Sequence, residues 1–322
     1  MKMVFMTARR RTYAGTATLA ALVIGLSGCG SSATPGSASD QTDGVDVVVA
    51  FYPFQFVAER VGGSHARVTS LTQPGSEPHD LELTPRQTAA ITTADLVIYE
   101  RSFQPAVDEA VAQSGNEHVL DTTTVVPLQP APAADDHADE EPAHEHEQGG
   151  DDPHVWLDPA NLGMIAYAVA GQLSAADPSH AADYDANART VIDELTALGA
   201  ELDKGLANCT RTEFVTTHAA FGYLARRVGL TQIGISGLSP DAEPSPARVA
   251  EVQREARKGG ITTIFYETLV SPAVAQSIAG DLGLTTDVLD PIEGITESSR
   301  GSDYLAVMRS NLSALRTANG CS

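Results

Sequence analysis

"PSHAADYDANARTVIDELTALGAELDKGLANC", residues 178–209, predicts the feature on which the fold of this 322-residue chain depends. Pro178 suits the first turn of a helix, and the residues after it are rich in Ala, Leu, Glu and Lys, which favour helix. Apolar side chains recur at helical spacing at Val191, Leu195, Leu198, Leu202 and Leu206. A helix over 178–208 would span about 45 Å at 1.5 Å per residue. The segment therefore predicts a stiff connector between two parts of the chain.

On both sides of this helix, short β-branched runs alternate with helical stretches. The runs lie at 45–51, 66–71, 94–100 and 118–123 in the first half, and at 213–218, 230–236, 261–267 and 285–290 in the second. Strands that alternate with helices favour a mainly parallel sheet. We therefore predict an α/β fold of two lobes, residues 45–177 and 209–322, each a four-stranded mainly parallel sheet flanked by helices.

The first 44 residues do not have the pattern of a folded domain. A positively charged start precedes an apolar run at 14–26, which is too short to span a bilayer and is typical of a signal peptide. "LSGC", which ends at Cys29, resembles the lipobox of bacterial lipoproteins and implies cleavage before Cys29 and lipidation of its sulfur. We expect residues 1–28 to be a lipoprotein signal peptide and 29–44 a flexible tether. The exported chain would then be held by lipid on the outer face of the cytoplasmic membrane.

The charge balance of the chain is strongly acidic. The whole sequence has a formal net charge of −22, with 20 Lys and Arg against 42 Asp and Glu. Residues 1–28 hold four of the basic residues and no acidic one, so the mature chain has 16 against 42, or −26. Such a surface repels nucleic acid and anionic lipid headgroups and attracts cations, although it also serves simple solubility. We predict no nucleic-acid partner.

Two cysteines remain once Cys29 is assigned to lipid. In an oxidising compartment Cys209 and Cys321 have only one possible pairing, so we expect a disulfide, with two free buried thiols as the alternative. The bond would tie the C-terminus to the start of the second lobe. A closed loop of more than a hundred residues contributes on the order of 4–5 kcal/mol in the chain-entropy model.

A run rich in acids and histidines lies near the middle of the chain. Residues 135–152 hold nine acids, the histidines His137, His144 and His146, and no basic residue. Like charges, Pro and Gly disfavour a stable helix or strand, so we predict a mobile loop. It either binds metal ions weakly or only keeps the chain solvated. The sequence "HEHEQ" within it has Gln148 where a zinc protease motif has its second histidine.

Three other histidines lie beside predicted strand ends or prolines. His79 is in "GSEPHDLELTP", His154 is in "DDPHVWLDP", and His218 ends the run "EFVTTH". Loops beyond the carboxyl ends of parallel strands form the ligand crevice in α/β sheets, so all three can face one cleft. We interpret the remaining histidines of the folded region, His65, His118 and His180, as surface residues.

The segments around these histidines resemble a known family. "EPHDLELTP" (77–85), "DPHVWLDP" (152–159), "THAAFGYLA" (217–225) and "PIEGIT" (291–296) are similar to the metal-site segments of zinc-uptake solute-binding proteins of bacterial ABC importers. The resemblance covers about residues 45–320. It implies a site for zinc or manganese between two lobes joined by a long helix, with His79, His154 and His218 as ligands. Leu81 and Leu83 depart from the family pattern, which often has aromatic residues or Pro there.

The resemblance also implies a carboxylate as fourth ligand, and three acids are candidates. Glu293 matches the family's position in the last segment and is favoured. Glu267 has the reach to bind the metal, or it orients His218 as a hydrogen-bond acceptor. Asp290 precedes a proline, and its short side chain is suited to bonds within the turn.

The donor atoms of this predicted ligand set indicate which metal binds and which function is favoured. Three imidazoles and one carboxylate suit tetrahedral zinc, whereas manganese and iron(II) favour more oxygen ligands. We predict a non-enzymatic, monomeric zinc-binding component of an ABC importer that delivers Zn(II) to a membrane permease. It has one tight site, with weaker equivalents on the 135–152 loop. The alternatives are a manganese or iron(II) carrier of the same class, a secreted zinc-dependent hydrolase, and a lipid-anchored adhesin, for which no sequence feature argues.

Overall fold

A computed structural model of the chain describes residues 44–131 and 150–322. Three predictions fall outside these residues: the signal peptide and tether, lipidation of Cys29, and the histidines His137, His144 and His146. No helix among the described residues is long and apolar enough to cross a membrane. The following description concerns the described residues alone.

The first lobe is built on four parallel strands. The strands are β1 (Val45–Val49), β2 (Ala66–Ser70), β3 (Leu96–Tyr99) and β4 (Val119–Asp121). They lie in the order β2-β1-β3-β4. The helices of this lobe are α1 (Tyr52–Gly62), α2 (Pro85–Thr93) and α3 (Pro105–Ser114). The central strands β1 and β3 are almost wholly buried, as expected of β-branched runs covered on both faces.

The region after β4 differs from the prediction. A two-residue antiparallel ladder pairs β5 (Gln129–Pro130) with β6 (Asp151–Asp152). The predicted mobile loop at 135–152 therefore does not include its last residues: Asp152 is paired in the ladder and fully buried. The predicted end of the loop was wrong because acidic composition suggested a solvated segment, whereas the Asp152 side chain hydrogen-bonds to His154 within the fold.

A helical pair joins the lobes. α4 (Pro159–Ala176) packs along α5 (Ala181–Gly205), and α5 is about 38 Å long at 1.5 Å per residue. The helix predicted over 178–208 is shorter at both ends. Residues Pro178–His180 form a 3₁₀ turn, because Asp177 accepts a hydrogen bond from the Ser179 amide and starts a separate turn. The five apolar residues predicted to share a face are all buried: Val191, Leu195, Leu198, Leu202 and Leu206.

The second lobe repeats the topology of the first. Its strands are β7 (Glu213–Thr216), β8 (Thr231–Gly234), β9 (Thr263–Tyr266) and β10 (Thr285–Val288). They are parallel and ordered β10-β9-β7-β8, which is the order of the first sheet when β7 is matched to β1. The helices are α6 (Gly222–Val228), α7 (Pro246–Lys258), α8 (Ala273–Leu282) and α9 (Tyr304–Asn319). The predicted α/β fold with four parallel strands in each half is confirmed.

The second lobe is closed by a disulfide. Cys209 and Cys321 are bonded, and the bond spans 112 residues. Arg211 N donates to Asn319 O close by, so the two ends of the lobe are also joined through their main chains. The predicted pairing is confirmed.

The main core is continuous from the first lobe through α4 and α5 to the inner side of the second lobe. A smaller apolar cluster lies within the second lobe, where β7 and β9 meet α7 and α8, with Val215, Ile264, Val252 and Ile278 among its members. The two lobes therefore share one apolar interior.

Candidate metal centre

Four side chains from four separate segments converge between the two sheets. The cluster consists of His79, His154, His218 and Glu293, each with a ligand atom within 4.8 Å of the others. His79 follows β2, His154 follows β6, His218 follows β7, and Glu293 follows β10. The structure thus brings together the three predicted histidines and the favoured carboxylate.

The Glu293 carboxylate lies close to all three imidazoles of the cluster. Glu293 Oε1 is 3.4 Å from His79 Nε2, 3.5 Å from His154 Nε2 and 3.6 Å from His218 Nε2. His154 Nε2 and His218 Nε2 are 3.3 Å apart. A tetrahedron with metal–ligand bonds of about 2.0–2.1 Å has edges of about 3.3–3.4 Å, so these four spacings are close to the edge lengths of a tetrahedral zinc site. His79 Nε2 and Glu293 Oε1 are buried without a hydrogen-bond partner, which fits atoms that bind an ion.

His79 is held by a tight turn. The Glu77 carboxylate accepts hydrogen bonds from the main-chain amides of His79 and Asp80, at 3.1 and 3.2 Å. Gln104 Nε2 donates to the Pro78 carbonyl at 2.9 Å, and the Phe103 ring lies edge-on to the His79 ring. These contacts fix the ring without involving its Nε2 atom. The two residues that depart from the family pattern, Leu81 and Leu83, pack on the core instead.

His154 is oriented by Asp152, which the sequence analysis missed. Asp152 Oδ1 accepts from His154 Nδ1 at 2.9 Å and from the His154 amide at 3.0 Å, and both side chains are fully buried. The bond at Nδ1 leaves Nε2 directed at the metal position, as in many metal sites. Burial lowers the pKa of His154, but the hydrogen bond to Asp152 and the nearby Glu293 carboxylate outweigh it and leave the pKa raised. The D-x-H spacing of "DPH" was the available signal.

His218 is oriented in the same way by Glu267. His218 Nδ1 donates to Glu267 Oε1 at 2.7 Å, and the Thr217 hydroxyl donates to the same oxygen. Although burial lowers the pKa of His218, the charges and hydrogen bonds of Glu267 and Glu293 raise it to about 10. Glu267 is not in the four-residue cluster. Glu267 was predicted either to bind the metal or to accept a hydrogen bond that orients His218, and its contact with His218 fits the second role.

Asp290 lies outside the cluster and is used within its own turn. Its Oδ1 accepts from the Ile292 amide at 2.8 Å, and its Oδ2 accepts from the Thr268 hydroxyl at 3.1 Å. Burial tends to raise the pKa of Glu293, but the three neighbouring histidines, led by His154, bring it well below its usual value. Glu293 is therefore an anion at neutral pH, which is the form that binds a cation.

The other described histidines are not in the cluster. His118 is exposed, while His65 and His180 stack on each other at 3.8 Å between ring centroids beside the start of α5. Each of the stacked pair faces an aspartate, Asp183 for His65 and Asp177 for His180.

Comparison with known proteins finds relatives over most of the chain. Residues 47–318 match the model of the family described as zinc-uptake complex component A, periplasmic. The chain is 36% identical to the zinc-binding lipoprotein AdcA of Streptococcus pneumoniae over 284 residues, covering 86% of this chain and 56% of that protein. The chain thus spans about half the length of that relative. It is 32% identical to the high-affinity zinc uptake system protein ZnuA of Bacillus subtilis, covering 95% of this chain and 97% of that protein.

A solved structure gives the same result at the level of the fold. The Zn(II)-bound ZnuA-like domain of Streptococcus pneumoniae AdcA superposes with a TM-score of 0.70 at 34% identity, covering 86% of this chain and 99% of that domain. The family match extends over most of the sequence, including all four segments of the cluster. The chain belongs to the zinc-uptake complex component A family of solute-binding proteins.

Proposed function

We propose that this protein is the extracytoplasmic metal-binding component of an ABC importer, which captures Zn(II) through His79, His154, His218 and Glu293 and delivers it to a membrane permease. The observation that carries the proposal is the set of three imidazole nitrogens that lie 3.4–3.6 Å from one carboxylate oxygen, distances close to the edges of a tetrahedral zinc site. Zinc is the cargo of this site.

The donor atoms favour zinc over the other metals of this transporter class. Manganese and iron(II) prefer sites with more oxygen ligands, and a nitrogen-rich site binds Zn(II) more tightly than Mn(II) by the Irving–Williams order. Copper(II) would bind more tightly still, so geometry and availability must contribute to selectivity in the cell. Two ligand histidines are backed by carboxylates, Asp152 and Glu267, which increase the basicity of their Nε2 atoms.

Exposure suggests how zinc reaches the site. His154, His218 and Glu293 are at most 1% exposed, whereas the His79 side chain is 12% exposed. We propose that His79 makes the first contact with incoming zinc and that the three buried ligands then complete the site. The strongly negative net charge of the chain raises the local concentration of cations and speeds this encounter.

The remaining expectations belong to the same proposal. They are attachment to the outer face of the cytoplasmic membrane through Cys29, a monomeric state, and weak zinc binding at His137, His144 and His146. We further propose the boundaries 45–177, 178–208 and 209–322 for the first lobe, the linking segment and the second lobe. The Bacillus subtilis relative, which this chain covers almost entirely, is named as part of a zinc uptake system.

The alternative interpretation is a zinc-dependent hydrolase, and it fits the ligand cluster less well. Hydrolytic zinc sites keep three protein ligands and one open position for water, whereas this cluster offers four side chains as ligands. We expect no turnover of peptide or ester substrates by the zinc-loaded protein. A rate above that of the His218→Ala variant would favour the hydrolase.

Metal content tests the proposal directly. The purified protein should contain one tightly held zinc per chain, measured by elemental analysis after dialysis. In competition, equimolar manganese should not displace it. Retention of manganese in preference to zinc would contradict the proposal, and so would unchanged tight binding in the His79→Ala, His218→Ala double variant.

A further inference from the structure

Trp156 connects the two lobes two residues after the ligand His154. Its ring is fully buried against aromatic residues of the first lobe, at 4.8 Å from Phe51 and 5.2 Å from Phe103 between ring centroids. Its polar atoms bond to the second lobe. The indole Nε1 donates to the Pro291 carbonyl at 2.7 Å, and the Trp156 carbonyl accepts from the Tyr304 hydroxyl at 2.6 Å.

The loop that accepts this hydrogen bond contains a strained residue. Ile292, between Pro291 and the ligand Glu293, has φ of +60°. A β-branched residue in the left-handed region is an outlier, because its side chain crowds the backbone. Such a conformation persists only where the surroundings determine it, and it is concentrated at functional sites. Ile292 is completely buried, and its amide donates to Asp290 Oδ1.

We propose that Trp156 is a positioning residue of the metal site: its hydrogen bonds to the second lobe join the segment of His154 to the loop of Glu293 and hold Ile292 at positive φ. This inference rests on the proposed zinc-binding function. The indole hydrogen-bonds to the Pro291 carbonyl, and Asp290 accepts a hydrogen bond from the Ile292 amide. The backbone on the N-terminal side of Ile292 is therefore held in place. Glu293 follows directly and is thereby directed at the three imidazoles.

The consequence of losing the indole N–H follows from burial. The Pro291 carbonyl would be left without its partner in a dry interior, which is unfavourable. The loop would then shift to regain a partner and to relax Ile292, and Glu293 Oε1 would move away from the imidazoles. His154 would keep its own bond to Asp152, so the three histidines would remain while the carboxylate is misplaced. The expected defect is therefore specific to the fourth ligand.

A matched pair of variants tests this inference. Trp156→Phe keeps an aromatic ring and removes the indole N–H. Tyr184→Phe is the control, because Tyr184 is equally buried and its hydroxyl donates to Asp177 at 3.0 Å near the start of α5, where it touches no proposed ligand. Zinc affinity is measured by competition with a chelating dye. We expect Trp156→Phe to bind zinc about 10–100-fold more weakly, as for other residues that orient ligands, and Tyr184→Phe to match the wild type.

Cobalt(II) gives a readout that a purely structural role would not change. The cobalt-loaded wild type should show the intense visible bands of four-coordinate Co(II), and Tyr184→Phe should retain them. In Trp156→Phe the bands should weaken and shift, because water replaces the misplaced carboxylate. Wild-type affinity within twofold together with an unchanged cobalt spectrum in Trp156→Phe would overturn the inference.

Two further outcomes are covered by the same experiment. If Trp156→Phe does not fold, as judged by circular dichroism, Tyr304→Phe replaces it, since it removes the other hydrogen bond to Trp156. The same weakening of zinc binding is expected there, and its absence would contradict the inference. Failure of the wild type to bind zinc would contradict the proposed function itself, which is a different result from an unaffected variant.

Discussion

Each lobe has a Tyr-Glu dipeptide at the end of the corresponding strand, but the two Glu carboxyl groups have different partners. In the first lobe Tyr99 ends β3 and Glu100 follows it, and in the second lobe Tyr266 ends β9 and Glu267 follows it. Both carboxyl groups are buried, Glu100 at 2% exposure and Glu267 at 3%. Glu267 accepts a hydrogen bond from His218. Glu100 accepts one from the Thr122 hydroxyl at 3.0 Å, and its other oxygen has no partner.

Strand register explains the difference. Val49 pairs with Ile98 in the first sheet as Thr216 pairs with Phe265 in the second, so Phe51 is the counterpart of His218. Phe51 packs on Phe54, Phe103 and Trp156, in the first lobe's aromatic interior. The repeated fold therefore supplies the position of the carboxyl group, and one residue on the neighbouring strand end decides whether it supports a metal ligand. Burial without an imidazole raises the pKa of Glu100 well above its usual value.

The largest expected effect is that of removing the histidine that distinguishes the lobes. We predict that His218→Ala abolishes tight zinc binding, because it removes one ligand and leaves Glu267 without its partner. Glu293→Ala should be less damaging, since water can fill the position of its oxygen. Isothermal titration of both variants measures the difference. The assignment of ligands would be wrong if Glu267→Ala lost more affinity than Glu293→Ala.

The disulfide is a further difference between the lobes, because among the described residues it occurs only in the second lobe. We predict that the Cys209→Ser, Cys321→Ser double variant loses on the order of 4–5 kcal/mol of unfolding free energy in the chain-entropy model. Zinc affinity should be retained, because neither cysteine is a member of the metal cluster. Denaturant unfolding and zinc titration check the two parts. Alkylation of both thiols in the unreduced protein would contradict the bond.

Charge-neutral substitutions of the two equivalent carboxyl groups should differ in their effect on zinc. We expect Glu267→Gln to weaken zinc binding about 10–100-fold, because the amide no longer supplies the charge that supports His218. Glu100→Gln should stay within twofold of the wild type, since Glu100 has no ligand histidine as partner. Competition titration of both proteins gives the ratio. Equal losses in the two variants would show that the lobes are not distinguished in this way.

Stability against pH tests the buried state of Glu100. Its folded-state pKa is raised, so the folded protein binds the proton more tightly than the unfolded chain, whose Glu pKa is about 4.3. This group therefore lowers stability as pH rises from about 4.3 towards the folded pKa, by about 1.4 kcal/mol for each pKa unit. Glu100→Gln should remove that decline, so the variant gains stability relative to the wild type as pH increases. Urea unfolding of the zinc-free proteins between pH 4 and pH 8 measures the difference, and parallel curves would contradict the prediction.

The smallest effect on the tight site is expected from the acidic run. Ala131 N donates to Gly150 O beside the β5–β6 ladder, so a deletion that spares both residues also spares Asp152 and His154. We predict that deletion of residues 135–149 leaves the tight zinc affinity within twofold and removes only weak zinc equivalents. Equilibrium dialysis over a range of zinc concentrations separates the two classes. Loss of the tight site would show that the run contributes to it.

The sequence by itself determined the strands, the long helix and the three candidate histidines. β-branched runs and a helical spacing of apolar residues are local patterns, so the eight sheet strands and the buried face of α5 could be predicted from neighbouring residues. The three histidines stood out because proline and strand ends flank them. Resemblance to a family then favoured Glu293 over Glu267 and Asp290, which residue chemistry alone left open.

Only the tertiary structure decided how these residues support one another. Asp152 looked like part of a solvated acidic run until the ladder and His154 showed it to be buried. The bond from Trp156 to Pro291 joins residues 135 positions apart, and the positive φ of Ile292 depends on it and on Asp290. Contacts between distant segments leave no local periodicity. They arise when two sheets with the same topology close on one shared interior, because burial then requires each polar group to find a partner there.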